Sequence, residues 1–473
     1  MTGVSDGDGD VRQIHLALDL CLRVGELLLS NGAGAADVTA TMQAVAWQYG
    51  IRQPDVDVTF TQLSMSYQTD PEERPALLMR QVKQREIDYE DLTLVDHLVR
   101  DILRGEVELK EARARLARIV SSGHTLPRWA ASLGYGSMCA GVGLQLGGDL
   151  SVVAIAFVAA VVIDRLQLLL ARRRLPFFYQ QIAGGAVATL IAVLAGASWL
   201  DLDPSLVVTA NIVMLLAGIG FMGALQDALT GFYVTAGARV TEALLATSGI
   251  IAGVSGGLTA ADVVGAHVHK LNPGAGDISQ LATSALGAAI CAASFAFASY
   301  APRRALAPIG LVGGVAMAIS LSIDLGGFGN TWSTALAAFF VGLVSYTVAG
   351  RLEVPPLVVV VSAVVPMLPG LSIFRGLNLL TEGGHNTSAG LLAMVTAAGI
   401  ATAVASGVLL GEYVAQPLKR EAHRLESRLA GPRLVGPIRV RRGRPGRSVR
   451  GRSSAAGAPS GRRGRRGPGT STP

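Results

Sequence analysis

Charge is scarce in this chain: only 16% of its 473 residues are Asp, Glu, Lys or Arg, against roughly 25% in a soluble domain. Half of the residues are hydrophobic, so the composition argues against a soluble globular protein and for a membrane location. Cysteine is scarcer still. Cys21, Cys139 and Cys291 are odd in number and far apart, which excludes a disulfide framework or a spaced zinc set. Acid is missing from residues 431–473, which hold twelve arginines. The formal charge of +6 therefore becomes −6 for the rest of the chain, and the basic balance describes a disordered Arg/Gly/Pro-rich tail, able to lie on anionic membrane lipid. No nucleic acid is expected as a partner. Residues 1–10 are acidic and Gly-rich with no apolar core segment behind them, so a disordered N-terminus without a cleaved signal is expected. A Walker sequence, a nucleophile elbow and an HExxH motif are all lacking, and with them any reason to expect an enzyme or a cofactor.

Residues 11–125 carry dense charge and no run long enough to span a bilayer; they read as a small cytoplasmic α+β domain. Leu16, Leu20, Val24, Leu27 and Leu28 recur at helical spacing, Asn31-Gly32-Ala33-Gly34 breaks the helix, and Asp37 is placed to cap the next one. Val56, Val58, Phe60, Leu63 and Met65 read as one strand, with Leu77 to Val82 as its partner, followed by helices at 90–105 and 107–120. The Gly-rich turn lacks the Gly-Lys-Ser/Thr of a phosphate loop and reads as structural.

Beyond Arg128 the chain turns to runs of Ala, Val, Leu, Ile and Gly close to the length that a bilayer core of about 30 Å demands. Ten are expected: 129–147, 150–170, 179–199, 205–225, 232–256, 281–300, 307–323, 331–349, 355–376 and 388–413. With the N-terminus inside, the inner loops carry Arg172, Arg173, Arg174, Arg303, Arg304, Arg351, Lys419 and Arg420, while the outer loops carry Asp149, Asp201, Asp203, Asp262, Asp324 and Glu382, with Lys270 the clear exception. That segregation follows the positive-inside rule and puts both termini in the cytoplasm.

The expected fold is a polytopic α-helical membrane protein, its ten helices forming two inverted five-helix repeats, 128–257 and 280–416. The repeat is read from Met214-Leu215-Leu216-Ala217-Gly218 with Thr230-Gly231, and Pro366-Met367-Leu368-Pro369-Gly370 with Thr381-Glu382-Gly383; Gly218 and Gly370 are 152 residues apart, as are Gly231 and Gly383. A five-helix unit is odd, so the second copy inserts upside down, the plan of many secondary transporters. In the ninth run Pro366 and Pro369 disturb the helical ladder about 16 Å from the inner end, at 1.5 Å per residue. Carbonyls freed there need protein or a watery cavity beside them, which marks either a site or a kink in a packed helix.

The fifth run holds Arg239 and Glu242 on one face with Thr235. The pair suits a zwitterion, Arg239 receiving a carboxylate and Glu242 an ammonium group or a coupling proton; a structural ion pair between helices is the alternative. Candidates for substrate or coupling are thus Arg239, Glu242 and Thr235 in the fifth run, Asn211 and Gly218 in the fourth, and Pro366, Pro369, Gly370 and Arg375 in the ninth. Asp164, Asp227 and Glu412 sit near run ends and rank below them; His267 and His269 read as a solvated loop and not as a metal site.

Gly25-Glu26-Leu27-Leu28-Leu29-Ser30-Asn31-Gly32-Ala33-Gly34 with Asp37-Val38, the Val56-Asp57-Val58-Thr59 strand, Pro355-Pro356, Val365-Pro366-Met367-Leu368-Pro369-Gly370 and Gly407-Val408-Leu409-Leu410-Gly411-Glu412 together resemble the threonine/serine exporter family, in the form that fuses both of its modules. The resemblance spans about residues 14–420. It implies proton-driven export of threonine and serine across the cytoplasmic membrane, and ten helices after a cytoplasmic N-terminal domain. The chain departs from the family pattern at Ala217-Gly218, where Pro-Gly is frequent. Two other readings stay open. Split-module relatives suggest a dicarboxylate exporter, which would need two cationic contacts such as Arg239 and Arg375, and the N-terminal domain could make the protein a membrane-anchored enzyme or scaffold. A homo-oligomer is compatible with all three.

Overall fold

The computed structural model describes residues 5–82, 87–197, 202–215, 218–263, 281–369 and 386–429, with 372, 373, 376, 379 and 380 between the last two segments. Gly370, Arg375, His267, His269, Lys270, Gly383 and the tail 431–473 lie outside the described residues.

The N-terminal part is built from α1 (Ser5–Ser30), α2 (Ala35–Gln48), β1 (Asp55–Val58), β2 (Gln62–Tyr67), β3 (Ala76–Gln81), α3 (Tyr89–Arg104) and α4 (Leu109–Ser122). Helix α1 begins inside the ten residues expected to be disordered. The expected single strand is two. Val56 and Val58 occupy even positions and Leu63 and Met65 odd ones, a parity change that no continuous strand keeps on one face. Thr59 turns the chain, donating its amide to the Gln62 carbonyl at 2.9 Å, so β1 pairs antiparallel with β2 and β2 with β3. Leu18, Leu20, Val24, Val38, Met42, Leu63, Met65, Val95, Ile102 and Leu116 form a core of its own.

The rest is helical: α5 (Arg128–Gln145), α6 (Leu150–Arg172), α7 (Phe177–Gly196), α8 (Pro204–Leu215), α9 (Gly218–Leu229), α10 (Tyr233–Val263), α11 (Leu281–Ala298), α12 (Arg303–Leu325), α13 (Asn330–Leu352), α14 (Pro356–Val364) and α15 (Thr387–Leu429). Seven of these are long and apolar enough to cross a membrane, which makes the chain a multi-pass membrane protein. The three other expected runs fall on α5, on the pair α8 and α9, and on α14. Helix α14 gives way at Val365–Met367 to a single tighter 3-10 turn, and Leu368 leaves it with extended backbone. Pro366 has no amide proton to continue the ladder, and Pro369 follows.

Small residues set the helix spacing. A Cβ on Gly141 of α5 would come within 2.7 Å of the Cys291 amide nitrogen of α11, and one on Gly287 of α11 would collide with the backbone of Gly141 and Gln145. The contact is reciprocal. In the same way Gly185 meets α10 while Gly249 and Gly253 meet α7, and Gly342 meets α15 while Gly407 and Gly411 meet α13. Inside a membrane, where apolar side chains gain little by leaving lipid, close backbone approach of this kind is what holds helices together.

Candidate functional site

Two polar places stand out, at different depths. The first is a pocket of about 210 Å³ beside the end of α14, lined on one side by Pro366 through Pro369 and on the other by Gln145, Thr209 and Val213. Pro366 is about 15 Å from the start of α14 at 1.5 Å per residue, near half the thickness of a bilayer core. The Gln145 amide nitrogen donates to the Pro366 carbonyl at 2.8 Å. The glutamine thus satisfies one carbonyl that the interrupted helix leaves free, as buried backbone requires. Its own Oε1 is buried without a partner, and so is the Thr209 hydroxyl. Ser320 and Thr334 add hydroxyls, and exposed Asp324 at the end of α12 and Asn330 at the start of α13 complete the lining. No lysine or arginine lines the pocket among the described residues.

The second place is where the N-terminal part meets α9 and α10. Asp227 at the end of α9 accepts the Ala35 amide at 2.8 Å. Residue 34, the N-cap of α2, is glycine and has no side chain with which to cap, so a carboxylate from 192 residues away does it. The other carboxylate oxygen lies 3.2 Å from Arg239 Nε, with both side chains buried. Arg239 also donates from Nη2 to the Ala33 carbonyl at 3.0 Å, and Thr235 donates to the Val58 carbonyl at 3.1 Å. On the far side of the same layer, Tyr89 N donates to the Ser299 carbonyl at 2.8 Å and His97 Nε2 pairs with the Glu353 carbonyl at 2.9 Å. Asp88, which caps α3, has its carboxyl raised by burial, with His124 acting the other way; beside it burial and the Asp88 charge push Asp91 up to about 6.

The sequence-read candidates therefore divide. Pro366 and Pro369 line the pocket. Asn211 is fully buried within α8, its amide donating to the Val207 carbonyl at 2.8 Å and its Oδ1 unpartnered, but it is not among the pocket-lining residues. Gly218 is the first residue of α9. Arg239 and Thr235 belong to the second place. Expected to face a pathway, they contact the N-terminal layer, because α10 starts at Tyr233 and its first two turns are covered by the Asn31–Gly34 turn and the end of β1. Glu242 lies near enough for its charge to act on Arg239. Asp37 does not cap α2. Asp227, ranked low in the sequence, is the centre of the junction, and Asp164, also ranked low, is gripped by both Arg128 guanidinium nitrogens at 2.7 and 3.2 Å. Gln145, Thr209 and Thr334 went unread: a single Gln or Thr in an apolar run carries no spacing signal.

Comparison with known proteins bears on the whole chain. Two family models, both described as threonine/serine exporter, match residues 19–261 and 284–414. The chain belongs to the threonine/serine exporter family. It is 36% identical over 470 residues to the "Probable threonine/serine exporter" of Mycobacterium tuberculosis, covering 97% of this chain and 87% of that one. It is 32% identical over 419 residues to the "Threonine/serine exporter" of Corynebacterium glutamicum, covering 87% and 85%. No solved structure matches.

Proposed function

We propose that the protein exports threonine and serine from the cytoplasm as a secondary transporter, holding the substrate in the pocket beside Pro366–Pro369 and drawing on the proton gradient. The observation that carries this is the pocket: a small polar space at mid-bilayer depth, at an interrupted helix, in a member of this family. Its volume falls below the roughly 300–1,000 Å³ of sites for drug-sized ligands, a scale suited to a small metabolite. Asp324 and the hydroxyls suit a zwitterion with a polar side chain; a dicarboxylate would want cations, and none of the described lining residues supplies one.

Ten crossings in two inverted halves is the architecture that best accounts for the contacts. The reciprocal Gly141 and Gly287 approach is what a two-fold axis between α5 and α11 would produce. Gly249 and Gly253 recur 158 residues later as Gly407 and Gly411, with the same kind of partner helix, and Gly185 recurs 157 residues later as Gly342. The break after α14 falls in the fourth unit of the second half. In this reading the N-terminal layer and the tail are cytoplasmic and the pocket opens outward, at the Asp324 end. The layer is tied to the first half through Asp227 and Arg239 and to the second through Ser299 and Glu353, so inward opening must loosen one of these ties. Glu242 is the intramembrane carboxylate we assign to the coupling proton.

Flux from threonine-loaded proteoliposomes under an imposed pH gradient tests the function. Gradient-accelerated efflux of threonine and serine is expected; succinate efflux without amino-acid efflux would transfer the case to the dicarboxylate reading, and flux of none of the three would end it. Glu242→Gln is expected to abolish the acceleration, and wild-type acceleration in that variant would remove its role.

A further inference from the structure

Six helical threonines in this bundle treat their hydroxyls in one way. Thr189, Thr241, Thr247, Thr259, Thr396 and Thr402 each donate to the carbonyl four residues earlier, at 2.8 to 3.0 Å, the ordinary way for such a group to satisfy itself where water is absent. Thr209, in the middle of α8 and 1% exposed, does not: its Oγ1 is buried and unpartnered, and it lines the pocket. Gln145, which also lines the pocket, has spent its amide nitrogen on the Pro366 carbonyl, which leaves its Oε1, also buried and unpartnered, as an open acceptor. A buried polar atom left without a partner is costly, and two among the residues of one small pocket are a standing demand for a ligand with both a donor and an acceptor.

A hydroxyl is such a group. We propose that Thr209 and Gln145 are the specificity-determining residues of the pocket, reading the side-chain hydroxyl of the transported amino acid: the substrate O–H donates to Gln145 Oε1 and its oxygen accepts from Thr209 Oγ1. This rests on the exporter reading above. On this reading the pocket refuses valine, which has the shape of threonine, and alanine, which has nearly that of serine. Shape alone discriminates weakly between isosteres, whereas a site whose buried polar groups are left unpaired by the wrong substrate discriminates strongly.

The test is efflux from proteoliposomes holding wild type, Thr209→Val, Thr209→Ser or Gln145→Leu, each loaded in turn with threonine, valine, serine or alanine. Wild type is expected to prefer threonine to valine at least about a hundredfold. Thr209→Val, which keeps the shape and removes the hydroxyl, should cut that preference at least about tenfold, the worth of one hydrogen bond, and Thr209→Ser should restore it. Gln145→Leu should lower the preference as well. Threonine should raise the detergent melting temperature of wild type and Thr209→Ser but not of Thr209→Val, a readout that needs no flux. If the wild type moves threonine and Thr209→Val keeps the full preference and the full thermal shift, the hydroxyl-reading role is overturned and the exporter reading survives. If the wild type moves neither threonine nor serine, both fall together.

Discussion

The pocket and the junction both bury polar groups, and they do so in opposite ways. At the junction charge meets charge: one Asp227 oxygen caps α2, the other, which makes no hydrogen bond, lies 3.2 Å from Arg239 Nε, and Arg239 reaches on to the Ala33 carbonyl. In the pocket the glutamine answers one carbonyl and leaves its own oxygen open, and a threonine declines the bond its counterparts make. Opposite charges from parts far apart in sequence fasten them, because removing one member strands the other away from water. Incomplete pairing stabilises nothing until something enters. The same physical rule, that buried polar groups need partners, thus distinguishes a structural seam from a binding site.

The contrast can be broken at the seam first. Asp227→Ala leaves Arg239 buried without its partner and uncaps α2, and should cost about 3–5 kcal/mol, seen as loss of folded protein in detergent or as ready proteolysis of residues 11–125. Replacing Arg239 as well, with Met, should recover part of that loss; no recovery would show that the pair is not the unit. Next is the packing beside the pocket. Gly141→Leu pushes α5 from α11 and is expected to cost about 1–3 kcal/mol, measured as a lower melting temperature with transport reduced in step. Gln145→Leu strands the Pro366 carbonyl as well as removing Oε1, and should cost about 1–3 kcal/mol with a larger loss of threonine flux than Gly141→Leu shows at the same melting temperature.

The smallest effect concerns pH. Asp91 has its carboxyl raised to about 6 by burial and by Asp88, so between the ordinary carboxylate value of about 4 and 6 the folded state binds more protons than the unfolded one. Its contribution to stability therefore falls as pH rises from 4 to 6. Asp91→Asn should flatten that part of the curve of melting temperature against pH.

What the sequence made legible follows from what each signal depends on. Helices α6, α7 and α10 to α13 are set by length and hydropathy, which are local, and they lie where the runs lie. The interruption at Pro366 is local too, since proline removes its own donor. The break between β1 and β2 was half visible in the parity of Val56 and Leu63, although the turn lacks the Gly or Asn that flags most hairpins. The site residues were less legible. Arg239 and Thr235 have the right period for a pathway face, but what covers the start of α10 comes from the other end of the chain. Asp227 works as a cap 192 residues from its helix, and no pattern in the sequence joins the two. Gln145 and Thr209 matter only because Pro366 is folded beside them.

The central claim, that the half-satisfied pocket and not the junction receives the substrate, is tested most directly by substrate protection. Cys21, Cys139 and Cys291 are all buried, so a cysteine at Ser320 on the pocket wall can be followed by its rate of reaction with a small thiol reagent in membrane vesicles. Ser320→Cys should be shielded severalfold by threonine or serine and not by valine, while Thr235→Cys at the junction shows no substrate effect. Equal reactivity at position 320 with and without threonine, or protection confined to position 235, would contradict the account.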